Sequence, residues 1–566
     1  GHEIVVSVRS LKDGKTVYTS NGQTTITHPI NNSGKEQMIS GEWTNIVPWS
    51  TEAPNLYVVK LELKNPEGKI VQTRETRIGF RTVEFFPQDG VYLNGTKLVI
   101  KGINRHSFSV DGGRTTNAAL SRMDAQLIKE MNMNAVRSHY PPDEHFLDMC
   151  DSLGLVYMDE LAGWQNSYDS KVGAKLVKEM IERDVNHPCI ILWSNGNEGG
   201  WNTQTDPLFA QYDRLQKRHM VHPWADFNER FTNGYKVFMP TEFMHAMYDQ
   251  GGGAGLRDFW DRWCTNPLFA GGFIWVYCDE APKRSDKGGI LDSDKSNAPD
   301  GVVGPRREKE GSYYAIRAQW SPIQLKPLLI TNHFDGSFLL TNEYTFTNLK
   351  DCRMSYKVLT CGTPLQGNTE TGKVIAEGGV QLPSINPGET GTARFELPDS
   401  FREGDILELE AFDKEGKSIC NWTYPIHLVK RYFERKLTQA APTPAPPKAE
   451  ARQTADAIEL KSSKVCVTFD AATGMIRHIT SGETEVPFKD GPVAVGMKMR
   501  YEPSLSYTRH SSDGAIYCAK YKGAADSIVW RLTNEGLLYM DAILLNRGSG
   551  GSGFDDAFMD SQIFNL

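Results

Sequence analysis

From about residue 88 to residue 323, short apolar runs of strand length alternate with longer runs whose apolar residues recur at helical spacing. Repeated strand–helix units leave few options: a parallel sheet wrapped by helices, which in closed form is an eight-stranded barrel. LVIKGINRHS (98–107) opens the series, and ALSRMDAQLIKEMN (119–132) is its helix. AVRSHYP (135–141) gives a second strand, HFLDMCDSLG (145–154) a helix stopped by Gly154, and LVYMDELAGW (155–164) a third strand. KVGAKLVKEMIERDVNHP (171–188) reads as a helix and CIILWSNGNE (189–198) as the fourth strand. HMVHPWADF (219–227), VFMPTEF (237–243) and LFAGGFIWVYCDE (268–280) supply later strands.

In such a barrel the C-terminal tips of all strands open onto one face, so residues remote in sequence converge there. Two tips carry carboxylates that matter most. Glu198 follows Asn197 at the end of the fourth strand, and Glu242 ends VFMPTE, with His245 just beyond. Paired carboxylates suit an acid-catalysed displacement at a sugar carbon: one protonates the leaving oxygen, the other meets the developing positive charge. The acid, Glu198, needs partial burial to keep its proton. Glu242 must stay ionised, and Arg137 at the tip of the second strand is the cation expected to hold it.

The strand count does not close. At ~30 residues per strand–helix unit, strands four and seven should lie ~90 residues apart, yet Glu242 follows Glu198 by 44 positions. NERFTNGYK (228–236) is too short for a sixth strand and its helices. Either a segment is absent from this sequence or the barrel is incomplete, and we expect the former.

Outside the barrel the patterning is β-type. Residues 1–86 alternate strand-like runs such as EIVVSVRS (3–10) with turns at Asp13-Gly14 and Asn65–Gly68, and are expected to form an immunoglobulin-like sandwich truncated at its front. The barrel spans 87–323, and a second immunoglobulin-like sandwich is expected over 324–432. A Pro/Ala-rich linker is expected over 433–455, and a truncated all-β domain over 456–566, with RGSGGSG (547–553) as a flexible connector. The fold class is therefore multidomain: a (β/α)8 TIM-type barrel flanked by β-sandwiches, with a C-terminal all-β supersandwich.

The net charge of −8 is diffuse, and no Lys/Arg block suggests nucleic acid. No apolar run reaches the ~18–20 residues of a membrane span. The nine cysteines (150, 189, 264, 278, 352, 361, 420, 466, 518) show no metal-site spacing and read as buried free thiols. They neither support nor exclude export.

GINRHS (102–107), AVRSHYPP (135–142), LVYMDE (155–160), WSNGNE (193–198), TEFMHAM (241–247) and GGFIWVYCDE (271–280) resemble the family 2 glycoside hydrolases, closest to their β-galactosidase-type members. The sandwich–barrel–sandwich order is also similar, although the jelly-roll domain that this family sets in front is missing. The resemblance implies that Glu198 is the acid/base and Glu242 the nucleophile, oriented by Arg137. It implies that His106, His139 and His245 line the sugar pocket, that Asn197 holds the 2-hydroxyl and that Trp275 is a pocket wall. Trp164 is a candidate sugar-stacking platform.

Three departures stand out. Magnesium-dependent members carry Glu and His ligands where this chain has Trp164 and Asn166, so no metal and no cofactor is expected. The family's tyrosine that contacts the nucleophile falls in the short interval, and Tyr235 is a poor substitute. Asp300 stands where β-galactosidases have a sodium-linked Asn, so recognition of the 6-hydroxyl is expected to differ.

The expected activity is a retaining exo-β-glycosidase, β-galactosidase first, with the two carboxyl groups ~5–5.5 Å apart; ~6.5–9.5 Å would indicate inversion. A β-glucuronidase is the same-class alternative, though no Asn-x-Lys pair is evident to clamp a C6 carboxylate. A non-catalytic carbohydrate-binding scaffold is the different-class alternative. The expected partner is carbohydrate, with neither nucleic acid nor membrane, in a possible homo-oligomer. Family habit favours bacterial export to the periplasm or beyond.

Overall fold

The computed structural model describes residues 1–566 apart from 32–33, 35, 217, 223–236, 245–252, 254, 293–299, 363–371, 429–445, 488–490, 492, 495–498, 524, 545–563 and 566. The chain divides into two compact units, Gly1–Leu428 and Val429–Leu566.

The alternating run folds as a parallel sheet. Its strands are β1 (Ile100–Asn104), β2 (Ala135–Arg137), β3 (Val156–Glu160), β4 (Ile190–Ser194), β5 (His219–Val221) and β6 (Gly271–Ile274), in the spatial order β5-β4-β3-β2-β1-β6. The intervening helices are α1 (Ala118–Glu130), α2 (Glu144–Leu153), α3 (Ser170–Asp184), α4 (Asp206–Tyr212) and α5 (Leu256–Cys264); α6 (Gly311–Gln319) follows β6. Local chemistry sets their ends. The Asn117 side chain accepts from Leu120 N at the start of α1, and the Asp169 side chain accepts from Lys171 N and Val172 N at the start of α3. Gly154 ends α2 in the left-handed conformation, φ 71°. Every residue of β3 and β4 is buried, as expected of strands covered on both faces.

The expected strand VFMPTEF is present only as two parallel bridges, Phe238 to Phe269 and Phe243 to Ile274. Backbone bonds from Phe273 N to Pro240 O (3.0 Å) and from Trp275 N to Phe243 O (3.0 Å) lay this segment alongside β6. It occupies the position next to the last strand, and β5 lies at the other edge of the sheet. Among the described residues no strand stands between them; NERFTNGYK (228–236) and Tyr235 lie outside the described residues.

Ahead of the barrel, residues 3–10, 25–29, 57–64 and 70–78 form one four-stranded antiparallel sheet. Behind it, residues 323–325, 337–342 and 390–394 form one sheet, and 353–360, 373–381, 406–412 and 418–425 another. The two enclose a core that includes Leu340, Val358, Leu407 and Leu409. The strict in–out alternation of Ile406–Phe412 is what makes that strand legible as one half of a sandwich. In the second unit, Glu450–Gln453 form a strand paired with Ala457–Lys461, although they fall within the expected linker. Further antiparallel strands run from residue 465 to 544 around Phe469, Tyr517 and Trp530. RGSGGSG lies outside the described residues.

The first sheet is anchored to its neighbours by polar contacts. Trp49, fully buried, donates from Nε1 to Asp151 O at 2.8 Å. The Glu52 carboxylate accepts from the backbone N–H groups of Thr345, Phe346 and Thr347 at 2.7, 3.0 and 2.7 Å. Replacing Glu52 by Ala strands three donors that have no other carboxylate to meet. This should cost roughly 1–3 kcal/mol, read as a lowered midpoint of urea unfolding for the first unit. An unchanged midpoint would remove Glu52 from the account.

Candidate active site

The tips of β1 to β4 converge on one guanidinium. Arg137, at the end of β2 and fully buried, donates from Nε to Glu160 Oε2 at 2.9 Å and from Nη2 to Glu160 Oε1 at 3.0 Å. Its Nη1 reaches Asn104 Oδ1 at 3.0 Å, Thr241 O at 3.1 Å and Glu242 Oε1 at 3.0 Å, and Nη2 reaches Asn197 Oδ1 at 2.9 Å. A planar fork with five N–H groups is the side chain able to serve that many acceptors in one plane.

Glu242 is buried and receives two more groups. Asn197 Nδ2 donates to its Oε1 at 3.1 Å, and His139 Nε2 stands 3.4 Å from the same oxygen. The other ring nitrogen of His139 faces Glu160 Oε1 at 3.1 Å.

Glu160 is the functional residue that was not singled out in the sequence. It obeys the same rule as Glu198 and Glu242, a carboxylate ending an apolar run, yet only its neighbours show its use. Burial pushes its carboxyl up, but Arg137, His139 and the Ser194 hydroxyl (2.8 Å) hold it below the ordinary carboxylate range. Asp159, one residue earlier, points away from Glu160 as strand alternation demands. Burial, reinforced by the Asp184 carboxylate, raises it well above the usual range.

Glu198 is half-buried and adopts φ 45°. The loop bearing it is stitched to the loop after β3: Asn197 N donates to Gly163 O at 2.6 Å and Gln165 N to Asn197 O at 3.3 Å. The approach is so close that a Cβ on Gly163 would lie 2.1 Å from Gly200 O, and one on Gly200 2.3 Å from Gly163 C. Glycine is required at both. This contact brings Trp164 Nε1 to Glu198 Oε2 at 2.9 Å, with the indole 64% exposed.

Beside Glu242, His139 packs with His106 and Trp275. The His106 and His139 ring centres are 5.3 Å apart, and each lies against Trp275, at 5.3 and 5.0 Å. Trp275 is thus half-buried beside the histidines rather than a core residue. His106 Nδ1 meets the Tyr140 hydroxyl at 3.0 Å. Burial, with the neighbouring His139, keeps the His106 ring well below the usual histidine range and therefore neutral. Trp275 Nε1 donates to Asp300 Oδ2 at 2.9 Å. His245 lies outside the described residues.

Residues 87–233 match the model of "Glycosyl hydrolases family 2, TIM barrel domain", residues 2–81 that of "Glycosyl hydrolases family 2", and residues 338–421 that of "Beta-galactosidase, domain 4". The chain is 26% identical over 454 residues to β-galactosidase BgaC of Bifidobacterium adolescentis, covering 69% of this chain and 41% of that protein. It is 28% identical over 465 residues to a β-galactosidase of Pectobacterium atrosepticum, covering 67% and 42%. The chain thus spans about two fifths of the length of these relatives. A crystal structure of a Parabacteroides merdae β-glucuronidase aligns with a TM-score of 0.49 at 15% identity, covering 96% of this chain and 73% of that one.

Burial raises Asp300 from 3.8 to about 6, and Asp279 from 3.8 to about 6. The folded protein therefore keeps protons on these groups that the unfolded chain has already released. Their contribution to stability is greatest below the unfolded value and falls as pH rises from about 4 to about 6. Asp300→Asn should flatten that part of the stability–pH curve, measured by urea unfolding at a series of pH values; an unaltered slope would contradict the burial of Asp300.

Proposed function

We propose that this chain, which belongs to the family 2 glycoside hydrolases, carries the catalytic centre of a retaining exo-β-glycosidase, with terminal β-galactosides as first substrate. The observation that carries the reading is the shared hold on Glu242: Arg137 and Asn197 both donate to its Oε1, and Asn197 is the residue immediately before Glu198. One amide thus ties the second carboxylate to the loop that bears the first.

Each group then has a task. Glu242, ionised, attacks the anomeric carbon and forms a glycosyl ester as Glu198 gives its proton to the leaving oxygen. Glu198, now ionised, takes a proton from water, which attacks the same carbon and releases the sugar with its configuration retained. The proton passes from Glu198 to the leaving group and is recovered from water, so the cycle balances. Neutral His106 and the imidazole of His139 offer ring nitrogens to sugar hydroxyls, and Asn197 serves the 2-hydroxyl. Trp275 walls the pocket. The exposed face of Trp164, beside the acid, lies on the leaving-group side.

Asp300 favours a neutral sugar over a uronic acid. A glucuronide would bring a second carboxylate towards a wall that already holds one, and the two repel once Asp300 ionises above about 6. The relatives named as β-galactosidases support the same preference. A vestigial, purely sugar-binding barrel has less to support it, because Glu198 and Glu242 are both present and Arg137 and Asn197 hold the second.

A panel of nitrophenyl glycosides should show the β-galactoside turned over fastest. Glu242→Gln should abolish turnover with an unchanged circular dichroism spectrum. Glu198→Gln should slow substrates with poor leaving groups by ~10²–10⁴-fold and dinitrophenyl substrates far less, because the latter need no proton. Normal activity of Glu242→Gln, or equal losses on both leaving groups for Glu198→Gln, would overturn the assignments.

A further inference from the structure

The loop after β3 ends in an exposed tryptophan whose edge, not its face, is engaged. Trp164 is 64% exposed, so packing does little to fix its ring. What fixes it is the bond from Nε1 to Glu198 Oε2 at 2.9 Å, on a backbone clamped by the Gly163–Gly200 contact and by the pairing of Trp164 with Asn197. Burying an indole removes a large apolar surface from water, and this chain leaves most of that surface exposed.

Residues 164 and 166 are where magnesium-dependent members of the family place a carboxylate and an imidazole. The residues here do not fit a hard cation. An indole N–H is a donor with no lone pair to offer, and an amide is a weak replacement for imidazole. The donor moreover takes up an oxygen of Glu198, so that acceptor is committed to a hydrogen bond.

We propose that the Trp164 indole N–H is the positioning group for Glu198, through a single directed hydrogen bond, and that turnover by this protein is independent of divalent metal. The proposal rests on the reading of Glu198 as the acid/base. The physical consequence is specific. A donor aimed at the carboxylate fixes the rotamer from which it meets the leaving oxygen. Unlike a metal ion, it carries no full charge, and it leaves the ring face open to the leaving group.

The test uses the whole chain and three proteins: the parent, Trp164→Phe and Glu198→Gln. Trp164→Phe keeps an aromatic ring at an exposed position and removes the donor, so folding is preserved. The fluorescence difference between parent and Trp164→Phe, followed against pH, reports Trp164 without any need for turnover. It should show one titration step, and the corresponding step should vanish in Glu198→Gln. In kinetics, loss of the donor should lower kcat and leave KM close to that of the parent. The loss in kcat should be larger for poor leaving groups than for dinitrophenyl substrates. Dialysis against EDTA, with or without added magnesium chloride, should leave turnover unchanged. A Trp164 signal indifferent to Glu198, a loss in kcat equal on good and poor leaving groups, or a tenfold loss in EDTA restored by magnesium would each overturn the proposal. A parent protein that turns over no glycoside would sink the glycosidase reading instead, and the fluorescence titration would still decide the Trp164–Glu198 link.

Discussion

A single buried guanidinium is the constraint around which the site is arranged. Arg137 has no access to solvent, and neither does Glu160 beside it. Removing these charges from water costs several kcal/mol per ion, and only well-formed bonds to every available group offset that. Asn104, Thr241, Glu160, Asn197 and Glu242 supply the acceptors. Together with Arg137 itself, those residues come from the tips of three strands, the loop after a fourth strand and the segment beside a fifth. The requirement that one side chain be satisfied therefore fixes where five pieces of chain end. A misplaced tip would leave a charge unpaired in the interior, the most costly fault available to it.

The same logic explains how Glu242 is placed although the barrel lacks an evident sixth strand among the described residues. Its segment takes its position from β6, through backbone bonds between 238–243 and 268–275, and from Arg137 and Asn104, whose side chains both donate to Thr241 O. None of these contacts involves residues 223–236. The half of the barrel that builds the site is β1 to β4 together with β6, and it is stitched independently of the short interval. That is the physical reason why a deficit in strand count and an intact pair of carboxylates coexist in one chain.

Much of this was legible in the sequence because strand tips are a local signal. An apolar run ending in a polar residue places that residue at the mouth of a barrel, and Arg137, Asn197, Glu198 and Glu242 were found in that way. Glu160 ends LVYMDE by the same rule, but its partner Arg137 is 23 positions away and its bond to Ser194 crosses between strands, so its role is visible only in three dimensions. Trp275 sits in an apolar run that reads equally as core or as wall, and the structure leaves it half-buried against the rings of His106 and His139. VFMPTEF reads as a strand by composition, yet Pro240 supplies no N–H for a ladder, and the segment joins its neighbour by bridges alone. Glu450–Gln453 read as linker because their four residues carry little apolar content, and pairing with Ala457–Lys461 makes them a strand. Such edge pairing depends on the partner rather than on the segment itself.

The claim on which the chemistry stands is that Glu242 bonds covalently to the sugar during turnover. Incubation with a 2-deoxy-2-fluoro-galactosyl fluoride slows breakdown of that intermediate enough to catch it, and mass spectrometry of a protease digest locates the label. The account predicts a mass increase of one fluorosugar on the peptide containing Glu242. A label on any other residue, or turnover with retention and no label at all, would contradict it.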